Sequence, residues 1–329
     1  MSRAIRFHRI GGPEVLQIDD VEVSAPKAHE VQIRVKAIGI NRAEVMYRTG
    51  QYVIEPRFPA ALGYEAAGVV ESVGEGVTNV AVGDPVSVIP AFSFAEYGLY
   101  GELVNAPMHA VVKNPAGLSF KEAAATWMMF TTAYGALIEM GDLQAGETVL
   151  IGAASSSVGQ AAIQIANMVG ATPVALTRST QKRQALLDAG AAYVLAGNDQ
   201  DLQGQVMEIS HGKGARIAFD PVGGPDVANL LRALSRQGIF FQYGALDSRD
   251  ISVPVMDLLG KHLTLRGYEL FEITGDPQKL ERAKEFITRG LSVGALRPNI
   301  DRTFAFEEIA EAHRYMESGS QVGKIVVTL

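Results

Sequence analysis

The feature that most constrains the fold is a rhythm. From Thr148 onward, strand-like and helix-like runs alternate. "TVLIGA" reads as a strand, "SVGQAAIQIANMVG" as a helix, "TPVALT" as a strand, "STQKRQALLDAG" as a helix and "AYVLA" as a strand. "ARIAFDPVG" and "QGIFFQYG" supply two more strands, with a helix between them. Such alternation implies a parallel sheet wound on both faces by helices, an α/β architecture. In the first helix Val158, Ala162, Ile165 and Val169 recur at helical spacing and form one apolar face.

The turn between the first strand and helix is the place for a dinucleotide. Such a turn needs small residues so that the chain can reverse, a pyrophosphate can reach backbone N–H groups, and helix and strand can pack closely. With Gly159 as the third glycine of a G-x-G-x-x-G pattern, the first two positions fall on Ala154 and Ser156. Both are small, and Ser155, Ser156 and Ser157 can also donate to phosphate oxygens. Ala154, Ser155, Ser156, Ser157, Val158 and Gly159 are therefore candidate cofactor contacts.

The second strand decides between cofactors. NAD-specific sites usually place an acid at its end, to accept from the ribose 2′-OH. No acid occurs from Val174 to Gln184. Thr177, Arg178, Ser179 and Lys182 stand there instead, suited to a 2′-phosphate through charge-assisted bonds. A cationic cluster at a helix start opposes the macrodipole unless an anion is present. NADP(H) is the expected cofactor. Tyr243, Gly244 and Ala245, with Gly267 and Tyr268 after the next strand, sit where cofactors meet the carboxyl edge of such a sheet.

The first ~120 residues read differently. In "EVQIRVKAIGI", Val31, Ile33, Val35 and Ala37 alternate with polar residues, a strand with one buried face. "EAAGVVESVGEGV" and "GDPVSVI" are further strands broken by turn residues. A mostly antiparallel β domain is expected. "SFKEAAATWMMFTTAYGALIEMG" reads as one helix with a Ser119/Glu122 capping box, ended by Gly141. The last ~60 residues carry two helices and the strand "GKIVVTL", which is expected to return to the first domain.

Bulk properties exclude several classes. The 329 residues suffice for about two domains of ~150 residues. The formal charge of −7 and the lack of basic runs argue against a nucleic-acid surface. No apolar run is long enough to span a bilayer, and the N-terminus lacks a signal core. A cytoplasmic location is the default expectation.

Together these residues resemble a known family. The markers are "GGPEVLQ", "GINRAEVMYRTGQY", "LGYEAAGVVESVGEGVTNVAVGD", the cofactor turn, "FDPVGG", "GIFFQYG" and "GKIVV". The chain resembles the zinc-independent medium-chain dehydrogenases/reductases of the NADPH:quinone oxidoreductase, zeta-crystallin-like type. The resemblance implies a GroES-like catalytic domain, residues 1–122 and 268–329, and a Rossmann NADP(H) domain, residues 123–267, with the active site in the cleft between them. It implies a homodimer through the Rossmann edge strand near Leu263–Leu270. It differs at Ser156 and Ser157, where paired glycines are usual. In "LAGNDQDL" Gly197 replaces a tyrosine expected against adenine, and "PAFSFAEYGLYGELV" is longer than its counterpart.

Zinc relatives use Gly-His-Glu and cysteines. This chain has Gly63-Tyr64-Glu65, no cysteine, and no HxxH or HExxH spacing among its histidines. No metal is expected. Hydride transfer to an already electrophilic acceptor needs none. The resemblance places Asn41 and Tyr52 as catalytic residues beside the nicotinamide and acceptor. It also places Thr132 and Lys324 near the cofactor. Tyr47, Tyr64, Phe92, Phe94, Trp127 and Met128 are candidate pocket walls for a flat ring. Asp220 reads as a turn former. The expected activity is NADPH-dependent reduction of a small-molecule quinone or similar carbonyl electrophile. Enone C=C reduction is the alternative within enzymes, and a non-catalytic nucleotide- or RNA-binding module is the alternative outside them.

Overall fold

The computed structural model describes residues 1–197 and 201–329. Asn198–Gln200, within the segment "LAGNDQDL", lie outside them. Two compact units emerge, Met1–Met128 with Arg297–Leu329, and Met129–Leu296.

The first unit is built on strand Glu30–Gly39. Val31, Ile33, Val35 and Ala37 are buried, as their alternation predicts. Gln32 is buried too, because its amide donates to Ser24 O and Asn105 Oδ1. This strand pairs antiparallel with Ala66–Val73, with Leu103–Pro107 and with the closing strand Lys324–Thr328. Lys324–Thr328 thus returns to the first unit, with Val326 opposite Gly39. Its other neighbour, Ile300–Ala305, runs parallel to it. Ala37, Ala67, Ala123, Ala124, Ala125 and Val326 make a small-residue core that lets backbones approach closely. A separate small sheet holds Leu16–Val21, Ser2–Phe7 and Ala60–Ala61.

The capping box is present. Ser119 Oγ accepts from Glu122 N–H, and Glu122 Oε2 accepts from Ser119 N–H. The single helix expected from Ser119 to Gly141 is interrupted. It runs Phe120–Ala123, resumes at Trp127–Tyr134, and closes with a π-helical stretch, Gly135–Met140. Thr126 Oγ1 takes Glu122 O at the break, a side-chain bond that competes with the helix ladder.

The second unit carries a parallel sheet whose described strands lie in the order Tyr193–Ala196, Thr172–Thr177, Thr148–Ile151, Ala215–Asp220, Leu234–Gln242, Thr264–Gly267. This is the doubly wound order 3-2-1-4-5-6 of dinucleotide-binding sheets. Thr264–Gly267 is an edge strand, as expected for the Leu263–Leu270 segment.

Residues 268–296 pack within the second unit, although the expected boundary assigned them to the first. Tyr134 meets Phe286 at 5.1 Å between ring centroids, and Arg282 forms an ion pair with Glu139. Helix Pro277–Ser292 brings Gly290 against Leu296 and Met168. These contacts hold that helix to the second unit rather than to the C-terminal strands. Among the described residues no helix is long and apolar enough to cross a membrane.

Candidate active site

In the first unit, helix Arg42–Arg48 begins at Asn41, directly after strand Glu30–Gly39. Asn41 is buried, and both ends of its amide are engaged. Oδ1 accepts from Lys324 Nζ at 2.6 Å, and Nδ2 donates to Gly39 O and Glu44 Oε1, each at 3.3 Å. Lys324 also forms an ion pair with Glu65. Glu65 Oε2 accepts from Met128 N–H at 3.0 Å. Glu44, Glu65 and Lys324 are almost wholly buried, at 0%, 0% and 1% exposure. Gly39 makes this density possible: a Cβ there would lie 2.1 Å from Ala124 O.

The ammonium of Lys324 is therefore engaged by Glu65 and Asn41 in this cluster. Strand pairing puts it beside Gly39–Asn41, and a buried cation must take the nearest carboxylate. Met128 likewise contributes its main-chain N–H. Trp127 is a buried packing residue.

Beside the polar cluster stands an aromatic one. Tyr47, Tyr64, Phe92 and Phe94 come together as a buried ring cluster, each at most 6% exposed, with Tyr52 half-buried at its edge. Phe94 lies between two tyrosines, stacked 3.7 Å from Tyr64 and 4.7 Å from Tyr47 between centroids. Tyr52 is half-buried, tilted against Phe94 at 5.7 Å and edge-on to Tyr47 at 6.3 Å. Phe92 reaches Tyr64 at 6.1 Å. The hydroxyls of Tyr52 and Tyr64 are 3.2 Å apart and share a hydrogen bond. A cleft of about 480 Å³ is lined by Val53–Arg57, which follow Tyr52, and by Ala95, next to Phe94.

Behind both clusters lie His313 and Arg48. His313 is buried, within 3.4 Å of the Tyr100 hydroxyl. Burial and then the charges of Arg48 and Arg42 push its pKa down to about 3, so it stays neutral. Arg48 bonds Gly11 O and Glu317. Both hold the unit together.

In the second unit, the turn after strand Thr148–Ile151 leads into helix Ser157–Met168. Ser156 is its N-cap and accepts from Gly159 N–H at 3.0 Å. Ala153 takes a left-handed backbone, φ 44°, which is uncommon outside glycine. Gly159 meets the close-packing requirement, since a Cβ there would lie 2.6 Å from Ala154 Cα. Ser155 Oγ is bonded by Lys182 Nζ at 3.1 Å, so the turn and the basic helix start touch. Thr177 Oγ1 donates to Ser179 O, and Arg178 and Ser179 are exposed.

The remaining expected residues divide. Tyr243 stacks on Phe219 at 3.9 Å, and a Cβ on Gly244 would lie 2.9 Å from Pro221 O. Ala245 is exposed, and Thr132 is buried in helix Trp127–Tyr134. Gly267 ends the exposed edge strand. Tyr268 is a core residue, its hydroxyl filling the space that a Gly135 side chain would need. Asp220 forms the expected turn, accepting from Gly223 N–H at 2.8 Å. Glu44 was missed. Its signal was the spacing Asn41-x-x-Glu44, which reads as a helix cap. In the structure Asn41 makes no side-chain cap bond, and the two side chains bond each other instead.

A GroES-like unit joined to a Rossmann-type sheet defines a medium-chain dehydrogenase/reductase, and comparison with known proteins agrees. Residues 27–116 match the family described as alcohol dehydrogenase GroES-like domain. Residues 157–289 match the one described as zinc-binding dehydrogenase. The quinone oxidoreductases of Lama guanicoe and Homo sapiens are each 32% identical, with all of this chain and 98% of theirs covered. The crystal structure of Escherichia coli quinone oxidoreductase complexed with NADPH superposes with a TM-score of 0.89 at 30% identity, over 99% of this chain and all of that one. The chain belongs to the medium-chain dehydrogenase/reductase proteins, in the quinone oxidoreductase family.

Proposed function

We propose that this protein is an NADPH-dependent reductase that delivers a hydride to a quinone, with Tyr52 as the proton donor. The observation that carries the acceptor side is the Tyr52–Tyr64 hydroxyl pair set among stacked rings. A planar acceptor is recognised by ring faces and edges, and its carbonyl oxygen by a phenolic O–H.

The second unit fits NADPH. Gly159 lets the helix start reach the strand, Ser155 and Lys182 are already bonded, and Thr177, Arg178 and Ser179 present polar groups with no acid among them. Lys182 and Arg178 would hold the 2′-phosphate, and the turn around Ser155–Ser157 the pyrophosphate. When bound, NADPH supplies a hydride. Two electrons and one proton then reach the quinone, and Tyr52 O–H supplies a second proton to the resulting hydroquinone anion. Tyr64, bonded to the Tyr52 hydroxyl, is placed to share the charge left on it, and solvent restores the proton. Asn41, held by Lys324 and Glu44, keeps the start of its helix fixed beside the rings.

A homodimer is part of this reading. Strand Thr264–Gly267 offers an open edge. Helix Val255–Lys261 exposes Val255, Met256 and Leu259, each over half accessible.

The test is NADPH consumption with 1,4-benzoquinone by wild type and Tyr52→Phe. A lost general acid lowers kcat by about 10²-fold, with NADPH affinity unchanged. Equal kcat in the two proteins would remove Tyr52 from the mechanism. No quinone reduction by wild type would remove the acceptor class.

A further inference from the structure

One carboxyl group beside the rings, Glu44, has only the part of holding Asn41 in the chemistry above. Glu44 Oε1 accepts from the Asn41 amide at 3.3 Å and from Tyr64 N–H at 3.2 Å. Its Oε2 is buried with no hydrogen-bond partner among the described residues. An ionised carboxylate accepts at both oxygens, and burying one of them bare is costly. The buried cation facing Glu44 is Lys324, already paired with Glu65 and bonded to Asn41. One positive charge cannot neutralise two buried carboxylates.

The titratable groups around Glu44 come from three other segments. Lys324 is on the closing strand, and Glu65 directly precedes strand Ala66–Val73. Tyr100 comes from the loop before strand Leu103–Pro107. Tyr100 keeps its proton, because burial and then the charges of Glu44 and Glu65 push its hydroxyl well up. A spare proton in this cluster therefore belongs on Glu44.

We propose that Glu44 is a positioning residue that works as a neutral acid, holding Asn41 and Tyr64 through one oxygen and slowing turnover when it ionises. The inference rests on the Tyr52–Tyr64 reading of the acceptor side. With Glu44 protonated, Lys324 and Glu65 leave the cluster uncharged. With Glu44 ionised, one net negative charge stands behind Tyr64, whose hydroxyl meets that of Tyr52. Negative charge then developing on the acceptor oxygen, or on Tyr52 as it gives up its proton, is destabilised in a medium of low dielectric. Burial raises the Glu44 carboxyl to about 7, with Lys324 and Asn41 opposing the shift, so this ionisation falls within the working range.

The linkage has a definite sign. A carboxyl whose folded pKa lies above its unfolded value contributes stability that is full below the unfolded pKa. That stability is lost as pH rises through about 7.

The experiment measures kcat and KM for 1,4-benzoquinone at saturating NADPH, from about pH 6 to about pH 8.5, for wild type, Glu44→Gln and Glu44→Asp. Wild-type kcat is expected to fall by about tenfold across this range. Glu44→Gln, which cannot ionise, should stay within about threefold of wild type at the low end and show no fall. Glu44→Asp keeps a titrating group and should move the inflection, which tests the idea even if the glutamine variant does not fold. A flat wild-type profile, or the same fall in Glu44→Gln, overturns the proposal. So does a glutamine variant that is slow at every pH with KM unchanged. Thermal melts test the proton without turnover. The Tm of Glu44→Gln relative to wild type should rise with pH over this range, and a constant difference overturns the proton on Glu44. A protein that passes the melt test yet reduces no quinone sinks the acceptor reading alone.

Discussion

The Asn41–Glu44–Glu65–Lys324 cluster of the first unit and the Ala153–Gly159 turn of the second both gather polar groups at the start of a helix. They treat water in opposite ways. The cluster excludes it: Lys324, Glu44 and Glu65 are at most 1% exposed, and Lys324 pairs with Glu65. The turn is more open, with Ser155, Ser156 and Ser157 partly exposed, Lys182 reaching Ser155, and Arg178 and Ser179 exposed on the neighbouring segment. In the proposed reading the region finished within the protein positions the site, and the one left with polar groups facing solvent takes the cofactor. The contrast predicts that damage to the cluster is felt as instability and damage to the turn as lost affinity.

The largest effect tests the first half of that contrast. Lys324→Met removes the counter-charge of Glu65 and the partner of Asn41 Oδ1. Leaving a buried charge unpaired costs about 3–5 kcal/mol, so a urea melt of this variant should lose stability on that scale. A change near zero would mean that Glu65 takes up a proton at little cost, and the cluster would then be a soft element. The second effect tests the other half. Arg178→Ala with Lys182→Ala leaves the melt within about 1 kcal/mol, because exposed charges carry little stability. It weakens NADPH by about 10–100-fold while NADH changes little, since charge-assisted bonds to a phosphate are lost. Equal losses for both cofactors, followed by nicotinamide fluorescence, would move these residues off the 2′-phosphate and onto the shared pyrophosphate.

The same contrast explains what could be read from the chain. The turn was legible because its parts are local. Ala154, Ser156 and Gly159 lie within six positions, and the absence of an acid after Val174 is a statement about neighbours in sequence. The aromatic cluster was partly legible through the family pattern that carries Tyr52, Tyr64 and Phe94. The cluster was not legible in the same way. Lys324 stands 259 residues from Glu65 and 283 from Asn41, and only the antiparallel return of the last strand brings them together. Glu44 carried no sequence signal beyond its spacing from Asn41, and only tertiary packing buries it. Tyr268 looked like a strand-end contact, but the glycine it packs against, Gly135, sits in a helix whose π-helical close the periodicity did not foretell. Period and turn chemistry act locally, whereas burial of a polar side chain depends on which distant strand arrives beside it.

The smallest effect is the most discriminating, because Ser156 belongs to both sides of the comparison. Its Oγ accepts from Gly159 N–H at 3.0 Å, which is internal capping. The same hydroxyl has one proton, which also lies within reach of the Tyr243 hydroxyl and which a phosphate oxygen could accept instead. Replacing an N-cap serine by glycine costs only a few tenths of a kcal/mol, and by alanine about 1 kcal/mol. Ser156→Gly should therefore melt almost as wild type does, and Ser156→Ala measurably lower. If the hydroxyl also serves the cofactor, both variants lose NADPH affinity alike, by about fivefold for roughly one hydrogen bond. Affinity unchanged or improved in Ser156→Gly would show the opposite. Gly159 N–H, released from its cap, would then replace the hydroxyl at the phosphate, and the serine would belong with the internally satisfied groups of the first unit rather than with the open ones of the second.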